Sequence, residues 1–170
     1  MSKRKDKLYD GERLEDFKEL IDRYENRYHD KVAFVYKENP KSKEHIKITY
    51  KQFAQDIKQL ATALLDMNMQ NKKIALIGPN RYEWCVSYLA ITTADISIVP
   101  LDKSLPENEI KSLIERSKAD AVIFDSKYAS VFEEIIAEDH TNLKQYICMD
   151  KTDNEHFITY PDLCEKGKCL

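Results

Sequence analysis

Between Lys73 and Met149 the sequence repeats one pattern: a short apolar run, then a longer stretch with helical spacing, three times over, before a last apolar run. "KIALI" is predicted as a strand, Arg81 to Thr93 as a helix, "DISIV" as a strand, Pro106 to Ser117 as a helix, "DAVIF" as a strand, Tyr128 to Ala137 as a helix and "KQYICM" as a strand. Apolar strands of this length alternating with helices of about ten residues specify a parallel sheet with crossover helices. Continuously apolar strands are buried on both faces. The fold class expected is therefore α/β, a doubly wound, mostly parallel sheet with flanking helices. In the helix from Arg81, the residues Trp84, Val86, Tyr88, Leu89 and Ile91 are apolar almost all round. Such a helix is expected to be covered on both sides.

The stretch before the alternation is organised differently. Leu14, Phe17, Leu20, Ile21, Tyr24 and Tyr28 recur at three- and four-residue steps, which predicts an amphipathic helix through "GERLEDFKELIDRYENRY". "KVAFVYKE" and "HIKITY" flank the polar turn "NPKSK" and read as a β-hairpin. Thr49 and Gln52 then form a capping box, with Ile48 and Phe53 as its hydrophobic staple, and a helix is expected from Tyr50. The organisation predicted is an N-terminal helix and hairpin over 1–47, a parallel α/β subdomain over 48–150, and the start of a connection to further sequence over 151–170.

Charge and cysteine usage narrow the function classes. The 170 residues carry 27 basic and 30 acidic side chains, a net charge of -3, so the chain has no field of the kind that draws a protein to nucleic acid. No nucleic-acid partner is expected. The opening "MSKRKDK" reads as a solvated charge run. No apolar h-region follows it, and no segment reaches the roughly 18–20 apolar residues that a membrane span needs. A cytoplasmic protein is expected, with peripheral membrane contact left open. Cys85 and Cys148 sit inside apolar runs and read as core residues. Cys164 and Cys169 have four residues between them and no second pair or histidine to complete a zinc site, so no metal site is expected.

"KKIALIGPNRYEW" raises the question of a phosphate loop, because a strand, a glycine turn and a helix start together present free N–H groups. A Walker-type loop needs several glycines and a lysine. This chain has three glycines, Gly11, Gly78 and Gly167, and no two share a loop. Gly78 is therefore expected to turn the chain and hold no phosphate, with Asn80 capping the helix and Glu83 as its box partner. Arg81 is a cation in the first turn, poorly placed for the helix dipole, and it is either paired with an acid or leaning into water. At the next strand end, "PLDKSLP" is the best functional candidate, since ligands of open α/β sheets gather at the carboxyl ends of strands. Ser104 and Glu107 are expected to box the following helix with Pro106 in its first turn, holding Leu101, Asp102 and Lys103 at the edge.

From Ile48 to Tyr128, and more loosely over most of the chain, the sequence resembles the N-terminal region of the AMP-forming (adenylate-forming) acyl-CoA synthetases. The pieces that carry the resemblance are "TYKQF", "NRYEW" and "IVPLDKSLPENEI", and "NRYEW" is most similar to the long-chain fatty acyl-CoA ligases. Asp95 departs from the family, which commonly has glycine there. The resemblance implies activation of a fatty acid by ATP and magnesium, followed by thioester formation with CoA. It also implies a Ser/Thr/Gly-rich phosphate loop and a mobile C-terminal domain, neither of which is in this sequence. The chain accordingly reads as a truncated, incomplete N-terminal subdomain of a larger fold, with no catalytic residue, no cofactor bound by itself, and the rest of its own polypeptide as partner. An apolar helix awaiting a second sheet implies self-association of the fragment. By resemblance, Leu101, Asp102 and Lys103 lie near the passage for the CoA arm; the alternative is a plain crossover with an exposed lysine. Two other classes stay open: a stand-alone α/β binding or interaction module, and a receiver-like signalling domain. The latter wants acids at the first strand end, where "KIALIGPN" has none.

Overall fold

Asp16 opens the first helix, its carboxylate accepting the Glu19 N–H at 2.8 Å. In the computed structural model, which describes residues 13–37 and 41–170, α1 runs Phe17–Arg23 and continues as a π-helical turn over Tyr24–Tyr28. The opening "MSKRKDK", Gly11 and the Asn39–Pro40 part of the hairpin turn lie outside the described residues. Strands β1 (Val32–Tyr36) and β2 (Ile46–Thr49) pair antiparallel, as expected for two strand-like runs flanking a polar turn. Thr49 caps α2 (Tyr50–Asp66) by accepting the Gln52 N–H at 3.1 Å. The Gln52 amide donates to Asp56 at 2.7 Å instead of reaching back, so only half of the capping box forms.

The alternating region folds as its periodicity dictates. In order come β3 (Lys73–Ile77), α3 (Tyr82–Thr93), β4 (Ser97–Pro100), α4 (Glu107–Ser117) and β5 (Ala121–Phe124). A 3-10 turn (Ser126–Tyr128), α5 (Ala129–Glu138) and β6 (Gln145–Cys148) follow. Past the expected alternation lie a two-residue strand β7 (Ile158–Thr159) and α6 (Tyr160–Lys168). All five strands are parallel in the order β4-β3-β5-β6-β7.

The pleat sorts the strand residues between two cores. Ile74, Leu76, Ala121, Ile123 and Ile147 face α2, α3 and α6, while Ala75, Ile77, Val122 and Phe124 face α4 and α5. Helices on both faces account for strands with no polar alternation, and each wholly buried large side chain such as Phe124 or Phe132 contributes about 1.5–3 kcal/mol of transfer free energy. The first core runs on from the sheet through α2 to Ile21 of α1. Around Phe53 it is aromatic: Phe34 meets Phe53 edge-on at 4.8 Å, and Tyr24 and Tyr82 each lie 5.8 Å from it.

One expectation fails, and two further local features bear on the fold. α3 buries Val86, Ser87, Ala90 and Ile91, but Trp84, Cys85, Tyr88 and Leu89 are only half-buried, so the described residues cover one side of this apolar helix and not both. Asp95 has φ 59°, a left-handed conformation that glycine adopts freely and that Asp tolerates better than most residues. At the far end of the chain α6 lies almost backbone to backbone on α2: a Cβ added to Gly167 would fall 2.0 Å from the Gln59 carbonyl oxygen.

Candidate functional site

The carboxyl ends of β3, β5 and β6 converge, and Arg81 ties them together. Its Nη1 donates to Asp125 Oδ2 at 2.9 Å and to both oxygens of Asp150 at 2.9 and 3.1 Å. Its Nε donates to Glu83 at 2.7 Å. Burial alone would lower the guanidinium's proton affinity, but the hydrogen bonds from Glu83, Asp125 and Asp150 raise it, and it stays charged throughout the accessible pH range. Burial likewise pushes the Asp150 carboxyl up, and the Ser126 and Arg81 hydrogen bonds more than offset this, holding it below the usual carboxylate range.

This network revises the expected cap. The N-cap of α3 is Arg81, in extended backbone and with no side-chain cap, while Asn80 is exposed one residue earlier. Glu83 bonds the guanidinium instead of serving as box partner. Charge-assisted pairs with three carboxylates outweigh a single neutral cap, which is worth about 1 kcal/mol. Nor does the turn depend on glycine. Gly78 has no positive φ, and a Cβ there would meet Asp125 and Met149 at an ordinary 3.4 Å. Three carboxylates around one guanidinium leave this helix start electronegative, so its residues do not fit a nucleotide phosphate. Of Arg81's two open fates, pairing is the one realised.

The carboxylates also organise the turn after β5. Asp150 Oδ2 accepts the Ser126 N–H at 3.2 Å, Asp125 Oδ1 accepts that of Lys127 at 3.2 Å, and the Asp125 carbonyl accepts that of Tyr128 at 2.9 Å. Three successive amides are thus fixed by two acids that Arg81 holds. Neither acid stood out in the sequence reading, although each follows the end of an apolar strand run ("IFD", "CMD") at the edge where Arg81 sits.

At the β4 end, Leu101 turns into the second core and donates its N–H to the Leu76 carbonyl at 2.9 Å, extending the ladder. Asp102 and Lys103 are exposed. The Asp102 carboxylate accepts the Ser104 N–H at 2.7 Å, closing an Asx turn, and the Lys103 carbonyl accepts the Tyr128 hydroxyl at 2.7 Å. The N-cap of α4 is Pro106 with no side-chain cap, so Ser104 and Glu107 do not form the expected box and Pro106 lies outside the helix. Asp102 has taken the Ser104 backbone for a turn, and this places Ser104 short of the capping position.

On the other side of Arg81, an open cleft of about 760 Å³ lies between the hairpin and α3, lined by Phe34, Tyr36, Ile46 and Tyr82 as well as by Arg81 and Asp150. The Tyr82 hydroxyl donates to Asp56 at 2.6 Å, anchoring this wall to α2. Among the described residues no group of three or more His, Cys, Asp or Glu side chains could hold a metal ion, and no helix is long and apolar enough to cross a membrane.

Comparison with known proteins places this architecture. Residues 21–165 match the family model for AMP-binding enzymes. A long-chain-fatty-acid–CoA ligase of Rattus norvegicus is 33% identical over 128 residues, which cover 72% of this chain and 18% of that protein. A CoA ligase of Gibberella moniliformis is 33% identical over 93 residues, covering 55% of this chain and 16% of that protein. Among solved structures, a long-chain-fatty-acid-CoA ligase from Archaeoglobus fulgidus superposes with a TM-score of 0.75 at 14% identity, covering 89% of this chain and 30% of that one. This last likeness is one of fold. The chain thus spans less than a third of these relatives, and with its family match running through both cores and the Arg81 network, it belongs to the AMP-binding enzyme family.

Proposed function

We propose that the chain forms the N-terminal α/β part of a fatty acid–CoA ligase. In that reaction a fatty carboxylate attacks the α-phosphate of ATP to give an acyl-adenylate and pyrophosphate, and the CoA thiol then displaces AMP. The observation that carries the reading is the family match over residues 21–165. Within it, this chain is scaffold and edge. The Arg81 cluster pins the strand ends, and the exposed Lys103 meets the CoA phosphates. The phosphate loop, magnesium and the mobile domain belong to the remainder of the same polypeptide, and the 170 residues alone are inactive and self-associate, aided by exposed Val32 and Val35 on the hairpin. The complete protein works in the cytoplasm.

ATP–pyrophosphate exchange with a fatty acid tests this. The chain alone is expected to stay at the level of a heat-killed control, while the polypeptide read from the extended coding sequence supports exchange and, with CoA, forms the thioester. Exchange by the chain alone would overturn its assignment as scaffold. An extended protein that activates no fatty acid would overturn the ligase reading, and a coding sequence stopping at Leu170 would favour a stand-alone module.

A further inference from the structure

We infer that Tyr128 is the positioning residue of the Lys103 loop, and that it couples this loop to the Arg81 cluster. Tyr128 is buried, 7% exposed, yet its hydroxyl is spent on a loop 25 residues away, donating to the Lys103 carbonyl at 2.7 Å. Nothing in the fold requires a tyrosine there, since a phenylalanine would fill the same core position beside Val131 and Phe132. What the hydroxyl adds is a tether at the tip of the segment between β4 and α4. At its start the segment is anchored by the Leu101 N–H on the Leu76 carbonyl, but past Leu101 its own bonds are local: Ser104 N–H to the Asp102 carboxylate, and Leu105 N–H to the Asp102 carbonyl at 3.3 Å. Tyr128 adds a hydrogen bond from β5's end to the tip of this turn, beyond the Leu101 anchor at its start.

The tether is itself rigidly mounted. Tyr128 closes the 3-10 turn whose three N–H groups are taken by Asp150 and Asp125, and both acids are held by Arg81. A continuous set of hydrogen bonds therefore runs from the β3–α3 turn through the ends of β5 and β6 to Lys103. The exposed Lys127 ammonium lies 4.6 Å over the ring of the same Tyr128. Resting on the ligase reading, this arrangement holds the loop in place for the phosphates of CoA.

Tyr128→Phe removes the hydroxyl and keeps the ring, its burial and the Lys127 contact. Hydrogen exchange on the full-length polypeptide is expected to quicken roughly two- to tenfold at the Ser104 and Leu105 amides, the loss of one neutral hydrogen bond, with α5 unchanged. Arg81→Lys, which keeps the charge and loses the fork, is expected to loosen the Ser126–Tyr128 amides and the loop together. Unchanged loop exchange in Tyr128→Phe, or an increase spread evenly over the fold, would overturn the positioning role. In kinetics, Tyr128→Phe and Lys103→Glu are both expected to raise the KM for CoA several-fold while leaving pyrophosphate exchange unaltered. A KM that responds to Lys103→Glu alone would overturn the role of Tyr128. If neither variant moves it, the CoA assignment of the loop falls, and the amide exchange decides Tyr128 independently.

Discussion

Arg81 and Asp150 stand 69 residues apart in the chain and meet through two contacts, Nη1 lying 2.9 and 3.1 Å from the carboxylate oxygens. With Asp125 and Glu83 on the same guanidinium, one cation holds three carboxylates that would otherwise repel one another. Arg81→Met is therefore expected to cost about 1.5–3 kcal/mol, the loss of charge-assisted hydrogen bonds at a site only 27% exposed. Arg81→Glu is expected to cost more, because it adds a fourth negative charge. Urea midpoints of the two variants check the order; a stabilised Arg81→Glu would show that the cluster does not form in solution.

Acid should release the same cluster. Asp150 titrates below its ordinary value of 3.8 in the folded chain. A carboxyl whose folded pKa is depressed binds fewer protons folded than unfolded, so its contribution to stability is full above the unfolded pKa and is lost as pH falls through the folded one. Stability is expected to decline as pH falls through the ordinary carboxylate range and below it. Asp150→Asn should remove part of that slope while lowering stability at pH 7. Parallel acid-unfolding curves for the two proteins would contradict the assignment.

Gly167 is required by contact and not by dihedral. Its missing Cβ is what lets α6 seat on the Gln59 carbonyl of α2. Gly167→Ala places a methyl 2.0 Å from a backbone oxygen that no rotamer change can move. A loss of about 1–3 kcal/mol or more is expected, against the small gain that alanine brings to an unencumbered helix. Thermal unfolding distinguishes the two signs.

The cysteines should react in order of accessibility. Burial pushes the Cys164 thiol up to about 11, with the Tyr160 hydroxyl hydrogen bond pulling the other way. Burial also raises Cys85 and Cys148, whereas Cys169 is exposed. Iodoacetamide at pH 8 is expected to label Cys169 first and the other three only after denaturant is added, since the thiolate is the reactive form. Peptide mass spectrometry reads the order directly; early labelling at Cys164 would place α6 away from α2.

The sequence alone determined the class of fold. Strand β3 is the predicted "KIALI" residue for residue, and β4, β5 and β6 fall within one or two residues of their apolar runs, because a strand buried on both faces announces itself by uninterrupted hydrophobicity. The Thr49 cap was legible for a similar reason, since donor and acceptor lie three residues apart. What only tertiary structure decided was everything carried by distant partners. Asn80 has the right chemistry for a cap, but Asp125 and Asp150 arrive from 44 and 69 residues away and set the helix start at Arg81 instead. The two residues of β7 have no periodicity of their own and become a strand by pairing with Ile147 and Cys148. The tether from Tyr128 to Lys103 likewise exists only because β4 and β5 both pair with β3, which brings their carboxyl ends to one edge. Local propensity is encoded in neighbours along the chain, whereas an ion cluster or a loop anchor is encoded in the order of strands across the sheet.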